Sequence, residues 1–304
     1  MSKIKNCPCS HKSQAIDILY KNEHNKKEKI NFECTSHNFQ NSKNWKPTLY
    51  KCRLCSLVFS EYINLKFENN YKNVKDIEYL NQSKFKKQTF IFFIEKIKRY
   101  LNKKCSVLEI GSYYGVLAQL VQPIVKEYIG LELSKHASMY SRKNLKLNII
   151  NKSFIEYSKS DKKFDIILMT DVIEHVDDPF ILLSLIEKKL KKNGKLILST
   201  FNFDSFFAFI TGKYYPWIIP MHKYYFSSDT LSNILKKNNL DLIETENDTR
   251  VISLEYLLKK LNLLVPYLSF IFIFILKFDF IKKVRVKINL YDLKIYIAEK
   301  KIKK

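Results

Sequence analysis

Val107-Leu-Glu-Ile-Gly-Ser-Tyr-Tyr-Gly115 reads as a buried strand running into a tight turn. Val107, Leu108 and Ile110 give the near-continuous apolar run of a central parallel strand. The chain has 5 glycines in 304 residues, and two of them, Gly111 and Gly115, bracket this turn. Glycine there lets the backbone turn sharply and lets a ligand approach the N-terminus of the following helix. Outward from this stretch, strand and helix patterns alternate. On its N-terminal side, Phe90, Phe93, Ile94, Ile97 and Leu101 mark the apolar stripe of a helix. On its C-terminal side, 116–125 reads as helix, 127–132 as a second strand, and a helix follows from about Ser134. Further strands are expected at 147–150, 164–169, 195–200, 240–245 and 293–298, with a helix at 179–191. Strands alternating with helices predict a parallel sheet covered on both faces, an α/β fold.

Composition bounds the rest. Hydrophobic residues make up 46% and charged residues 27%, so a real core is available and disorder as the dominant state is excluded. The six cysteines are too few for a disulfide scaffold of this length. The net charge is +23, yet among 53 basic residues Arg occurs only at 53, 99, 142, 250 and 285. Readers of phosphates and base edges lean on the planar fork of Arg, so a nucleic-acid partner is not favoured. The lysines read as solvated surface with a general attraction to anionic partners or lipid headgroups. The start, Met1-Ser-Lys-Ile-Lys-Asn-Cys7, lacks the apolar core of a secretory signal, which points to a cytoplasmic setting with reduced thiols.

Residues 1–65 hold five of the six cysteines and read as a small lobe. Cys52-Arg-Leu-Cys55 places two thiolates on one knuckle, half of a tetrahedral Zn²⁺ site. Cys7 and Cys9 are expected to supply the other half, which would make the metal structural. Their one-residue gap is shorter than the usual knuckle, and Cys34, His11, His24 and His37 are the substitutes. Residues 66–83 are polar and read as a connector to a domain at 84–304.

Glu132 closes the second strand, about twenty residues after Gly111. In a doubly wound sheet an acidic side chain at that point accepts hydrogen bonds from ribose hydroxyls. Here the sequence resembles a known family. Val107-Leu-Glu-Ile-Gly111 resembles the first motif of class I S-adenosylmethionine-dependent methyltransferases. Phe164-Asp-Ile-Ile167 resembles their fourth strand. Asp171-Val-Ile-Glu-His-Val-Asp-Asp-Pro179 resembles the block that follows it in the branch containing quinone-biosynthesis and sugar methyltransferases. Leu190-Lys-Lys-Asn-Gly-Lys-Leu-Ile-Leu-Ser-Thr-Phe-Asn202 is similar to that branch's helix, turn and fifth strand. The likeness covers about residues 84–245 and the last strand.

The resemblance implies a Rossmann-like, seven-stranded, mostly parallel sheet with the last strand antiparallel, and S-adenosylmethionine as cofactor. Glu109 would orient the loop, and Gly111, Tyr113, Gly115, Glu132, Ser153 and Asp171 would form the cofactor site. Tyr113 departs from the pattern, standing where the loop usually carries another glycine. Asn151-Lys-Ser153 stands where an acidic residue commonly reads adenine, so Ser153 or backbone groups would take that part. Members that modify sugars or surface glycans often begin with a Zn-binding module, whose second knuckle resembles Tyr50-Lys-Cys-Arg-Leu-Cys-Ser-Leu-Val-Phe59.

Methyl transfer from a sulfonium is an in-line displacement, in which the enzyme aligns the nucleophile and removes its proton. His222 and His175 are the candidate bases, since a neutral imidazole accepts a proton near pH 7. His175 is expected chiefly to shape the cofactor pocket, and Tyr224 and Tyr225 to line the acceptor pocket. The resemblance implies a small-molecule acceptor: a sugar, a nucleotide sugar or a lipid-linked glycan intermediate. RNA methylation is one alternative, though the Asn/Asp-Pro-Pro-aromatic clamp of many base amino-methylating enzymes is absent. A non-enzymatic, membrane-associated binding protein with a decayed fold is the other. An apolar helical insertion is expected at about 252–288. Its centre, 263–276, is short for a bilayer span of about 20 residues. It is flanked by lysines, and Phe270, Phe272 and Phe274 alternate with Ile271, Ile273 and Ile275. It is expected to lie on the inner face of a membrane or to pack as a lid over the acceptor pocket.

Overall fold

The computed structural model describes residues 7–21, 46–62, 71–264, 269–278, 281 and 284–301. The strands are β1 (Ile16–Tyr20), β2 (Leu49–Cys52), β3 (Val58–Ser60), β4 (Ser106–Ile110), β5 (Glu127–Leu131), β6 (Ile149–Ile150) and β7 (Phe164–Thr170). They continue with β8 (Leu190–Phe201), β9 (Tyr224–Tyr225), β10 (Leu240–Asn247), β11 (Arg250–Ser253), β12 (Arg285–Ile288) and β13 (Leu293–Lys300). The helices are α1 (Ile77–Asn81), α2 (Ser83–Ile97), α3 (Ala118–Val121), α4 (Lys135–Leu145) and α5 (Phe154–Tyr157). They continue with α6 (Pro179–Lys189), α7 (Phe206–Thr211), α8 (Ser228–Lys237), α9 (Leu254–Leu264) and α10 (Ser269–Ile275).

Every residue of β4 is buried, because it lies inside a seven-stranded sheet of order β10-β13-β8-β7-β4-β5-β6. Alternate side chains point to opposite faces. Val107 joins Phe93 and Ile97 of α2 in one apolar layer, while Leu108 and Ile110 join Leu183 and Ile186 of α6 in the other. Burying each such side chain stabilises the fold by about 1.5–3 kcal/mol. β4, β5, β6, β7 and β8 are mutually parallel, and β13 runs antiparallel to both β8 and β10. The chain leaves β4 toward β5 on one side and returns to β7 on the other. A crevice therefore opens at the C-terminal ends of β4 and β7.

Local chemistry shortens some expected elements. The helix after the first loop is only α3 plus a 3-10 turn at Gln122–Ile124, since Pro123 supplies no N–H. The third strand is reduced to Ile149–Ile150. Lys146 takes a left-handed conformation that ends α4, and Leu147 N–H still bonds back to Ser141 at 3.2 Å. The expected connector is not a bare linker. Ser134 Oγ donates to Val74 O at 2.8 Å, Lys135 N to Lys72 O at 3.0 Å, and Asp76 N to Tyr114 OH at 2.9 Å. These bonds strap 71–81 across the loop after β4.

The N-terminal lobe forms a four-stranded sheet of order β1-β2-β3-β9, so its last strand comes from beyond residue 220. The insertion is a β11–β12 antiparallel ribbon carrying α9 and α10. Residues 265–268 of its apolar centre lie outside the described residues. Among the described residues, no helix is long and apolar enough to cross a membrane.

Candidate active site

A cavity of about 1660 Å³ opens at the ends of β4, β5 and β7. Ligand pockets for drug-sized molecules run to about 300–1,000 Å³, so this one has room for two ligands. Glu109, Gly111, Tyr113, Glu132, Ser153, Asp171, His175 and His222 all line it. Gly111 has φ +79, and a Cβ there would meet Val172 Cγ2 at 2.6 Å. Gly115 is not in the wall. A Cβ at Gly115 would meet Leu147 Cδ1 at 2.5 Å, so this glycine seats the loop against the end of α4 and not against a ligand.

Tyr113 replaces a loop glycine without blocking the pocket, because its side chain turns toward α1. Its hydroxyl donates to Asp76 Oδ2 at 3.0 Å, and its ring meets Tyr79 edge-on at 4.6 Å. The cost is a positive φ of 46°. Its N–H donates to Glu132 Oε2 at 2.7 Å, while Ser134 N donates to Oε1 at 2.6 Å. Burial pushes the Glu132 carboxyl up to about 7 against the pull of these N–H groups. Burial likewise pushes Glu109 up to about 7, partly offset by the hydroxyl of Tyr128, which donates to it. Ser153 contributes wall, but its Oγ caps α5 by accepting from Glu156 N at 3.1 Å. Asn151 Nδ2 donates to the carbonyls of Glu132 and Leu133 and braces the strand end.

Asp171 is not a free acceptor. Its two oxygens receive Arg250 Nη2 at 2.6 and 2.7 Å, and it holds φ +53. Glu174 Oε2 accepts from Thr200 Oγ1 at 3.0 Å, while Glu174 Oε1 is buried without a partner. Burial, then the charge of Asp171, pushes Glu174 up to about 8. His175 and His222 lie with ring centroids 4.7 Å apart. His222 Nδ1 is 2.8 Å from Trp217 O, and His175 Nδ1 is 3.1 Å from Met221 O. A carbonyl only accepts, so both Nδ1 atoms carry the hydrogen and both Nε2 atoms keep a lone pair. Burial lowers both imidazoles below the usual histidine range, His222 further because His175 lies beside it. One nitrogen or carboxylate oxygen from each of Glu174, His175 and His222 falls within 4.8 Å of the other two.

The far wall is apolar and aromatic, with Phe201, Phe207, Ile210, Tyr214, Trp217 and Tyr256. Tyr224 and Tyr225, expected there, form β9 instead. Tyr224 OH donates to Asp177 O at 2.8 Å and Tyr225 OH to Ile219 O at 3.3 Å. Among the wall residues without a role assigned from the sequence are four polar ones, Tyr79, Lys86, Glu174 and Arg250, that can reach a ligand. Lys86 Nζ lies 5.5 Å from the Tyr79 ring centroid, and burial draws its amine down to about 8. Arg250 had one visible signal, being one of five arginines in a lysine-rich chain.

In the lobe, Cys7 Sγ lies 3.5 Å from Cys55 Sγ, and Cys52 Sγ lies 3.3 Å from His11 Nδ1. These four donors all fall within 4.8 Å of one another, which suits tetrahedral Zn²⁺. Cys7, His11, Cys52 and Cys55 thus form the candidate metal group, and Cys9, the other expected ligand, lies beside it. The turn after Cys7 places Cys9 N–H on Cys7 Sγ at 3.4 Å, a supporting position. Cys34, His24 and His37 lie outside the described residues.

A family model described as "Methyltransferase domain" matches residues 85–245. The ubiquinone biosynthesis O-methyltransferase of Pelagibacter ubique is 34% identical over 152 residues, covering 46% of this chain and 63% of that protein. The protein of the same name from Rickettsia typhi is 27% identical over 199 residues, 56% of this chain and 80% of that one. The chain therefore spans less than two thirds of the Pelagibacter relative. A solved SAM-dependent methyltransferase from Archaeoglobus fulgidus aligns at 22% identity and TM-score 0.49, over 74% of this chain and 100% of that one.

Proposed function

We propose, for a chain that belongs to the methyltransferase-domain family and is a class I S-adenosylmethionine-dependent methyltransferase, that it methylates a hydroxyl on a small lipid-linked acceptor. Gly111, Tyr113 and Glu132 would hold the cofactor, with Glu132 accepting from the ribose hydroxyls. The acceptor lies against Trp217 and the aromatic wall. The acceptor oxygen attacks the methyl carbon, the carbon–sulfur bond breaks, and its electron pair stays on sulfur as neutral S-adenosylhomocysteine. The hydroxyl proton passes to His222 Nε2, with His175 beside it.

The observation that carries this reading is the shared cavity. His222, the glycine turn and an apolar wall line one space large enough for both ligands. O-methylation is in the names of the relatives. The lipid link is supported by exposed aromatic residues: Phe206 and Phe209 of α7 are 75% and 80% exposed, and Phe270 and Phe274 of α10 are 71% and 59% exposed. Ile210 of α7 lines the cavity, so this apolar surface continues into the site. Lys213 and Lys277, both exposed, flank the two helices and suit anionic headgroups at about 1 kcal/mol each. The protein would then work in the cytoplasm at the inner face of the membrane, with its Zn²⁺ structural.

Labelled S-adenosylmethionine offered with lipid-linked sugars, lipid-linked phenols, nucleotide sugars and RNA tests the acceptor. Label is expected on a lipid-linked compound, and the sugar and phenol arms separate the two headgroups. Label only on nucleotide sugars or RNA overturns the reading. Flotation with anionic vesicles at low salt is expected to carry the protein upward, and Phe206→Ser with Phe209→Ser to weaken this. His222→Asn is expected to lower kcat by about 10²–10⁴-fold with cofactor affinity unchanged.

A further inference from the structure

The N-terminal sheet ends on β9, which begins two residues after His222. Val58 pairs with Tyr225 and Phe59 with Tyr224, and Ser60 N donates to Lys223 O at 2.9 Å. From the opposite side, Lys223 N and Tyr224 N donate to Glu174 O at 2.8 and 3.2 Å. The Lys223 ammonium is fully buried against Asp177. His222 N–H closes on Ile219 O at 3.1 Å, and its ring is set by Trp217 O. The lobe reaches that segment as well. Leu49 and Val58 share an apolar cluster with Tyr215, Ile218 and Tyr225, and Lys46 Nζ donates to Tyr215 O at 3.0 Å. The candidate metal turn joins the two strands involved: Cys52 ends β2, Ser56 N returns to Cys52 O at 2.8 Å, and β3 follows.

We infer that the β2–β3 hairpin of the small lobe is a positioning element for methyl transfer, clamping the 215–225 segment so that His222 faces the acceptor. Ser60 acts through its backbone N–H, and the turn holding Cys52 and Cys55 fixes the hairpin's shape. The inference rests on His222 being the base.

The test uses the full-length protein. Ser60→Pro removes the N–H that reaches Lys223, and Ser60→Ala keeps it. Ser60→Pro is expected to lower kcat by about 10–100-fold, the size of effect a small misplacement of a catalytic group produces. Cofactor affinity by calorimetry should stay within about twofold, and amide exchange at 222–226 should quicken while β4 and β5 stay protected. Ser60→Ala should restore the rate and the protection. A folded Ser60→Pro protein with unchanged kcat and exchange overturns the inference, as does an equal loss of cofactor affinity and rate. Should Ser60→Pro not fold, wild-type protein treated with a chelator serves: quickened exchange confined to the lobe and 222–226 supports the clamp, and unchanged exchange at 222–226 rejects it. If His222→Asn leaves kcat intact, the base assignment fails, and the exchange data still report separately on the clamp.

Discussion

Glu132 receives one backbone N–H on each carboxylate oxygen, and each oxygen has a second lone pair to offer. Those free positions are the ones a ribose diol can use. Glu132→Ala is expected to weaken S-adenosylmethionine binding by about 1.5–3 kcal/mol, measured by calorimetry. Unchanged affinity would remove the ribose role. Glu174 makes a second prediction at this scale. Its carboxyl is raised from an ordinary 4.5 to about 8 in the folded chain, chiefly by burial. The folded state then binds more protons than the unfolded chain between those values. This contribution to stability is full below about 4.5, shrinks as pH rises, and is gone above about 8. Thermal unfolding of the ligand-free protein should show that decline, and Glu174→Gln should lessen it, most of all between pH 7 and 8, with Glu109 and Glu132, both raised to about 7, keeping their share. Glu109, Gly111 and Glu132 were legible in the sequence because strand ends in a doubly wound sheet converge on one crevice. Tyr79, Lys86 and Arg250 were not, because they reach the cavity from α1, α2 and β11. No spacing rule links those segments to the glycine turn.

Strands were easier to foresee than the lengths of the turns between them. The apolar runs of β4, β7 and β13 stand out, whereas the left-handed cap at Lys146 and Pro123 inside a helical pattern cut their neighbours short by local chemistry. The metal turn shows the same limit. Cys52 and Cys55 were visible as a knuckle, and Cys7 as a partner. The choice between Cys9 and His11 depends on the turn Cys7–Ser10, closed by Ser10 N on Cys7 O at 2.8 Å. One Zn²⁺ per chain is expected by metal analysis. Losing an outer hydrogen-bonding partner costs a site about 10–100-fold in affinity, and Cys9→Ser should cost no more than that. His11→Ala removes a ligand and should cost more. If Cys9→Ser empties the site while His11→Ala leaves it filled, the ligand assignment is reversed.

The alternation of strand and helix was enough to foresee a doubly covered parallel sheet, the family resemblance added its seven strands, and the observed order places the cavity at the reversal beside β4. How the small lobe docks could not be foreseen. Its contact strand is only Tyr224–Tyr225, two residues that resemble any aromatic pair in a loop. That short strand also limits how the protein can be divided. A chain starting at residue 71 would leave β9 with open N–H and C=O groups beside Tyr215 and Ile218, stripped of Leu49 and Val58. An unpaired edge next to bare apolar surface is a template for pairing between chains. Such a truncated protein should aggregate, visible as light scattering on mild warming. For the same reason the two parts are not interchangeable cassettes. A chimera that borrows the lobe of a homologue should work only if residues 215–226 travel with it.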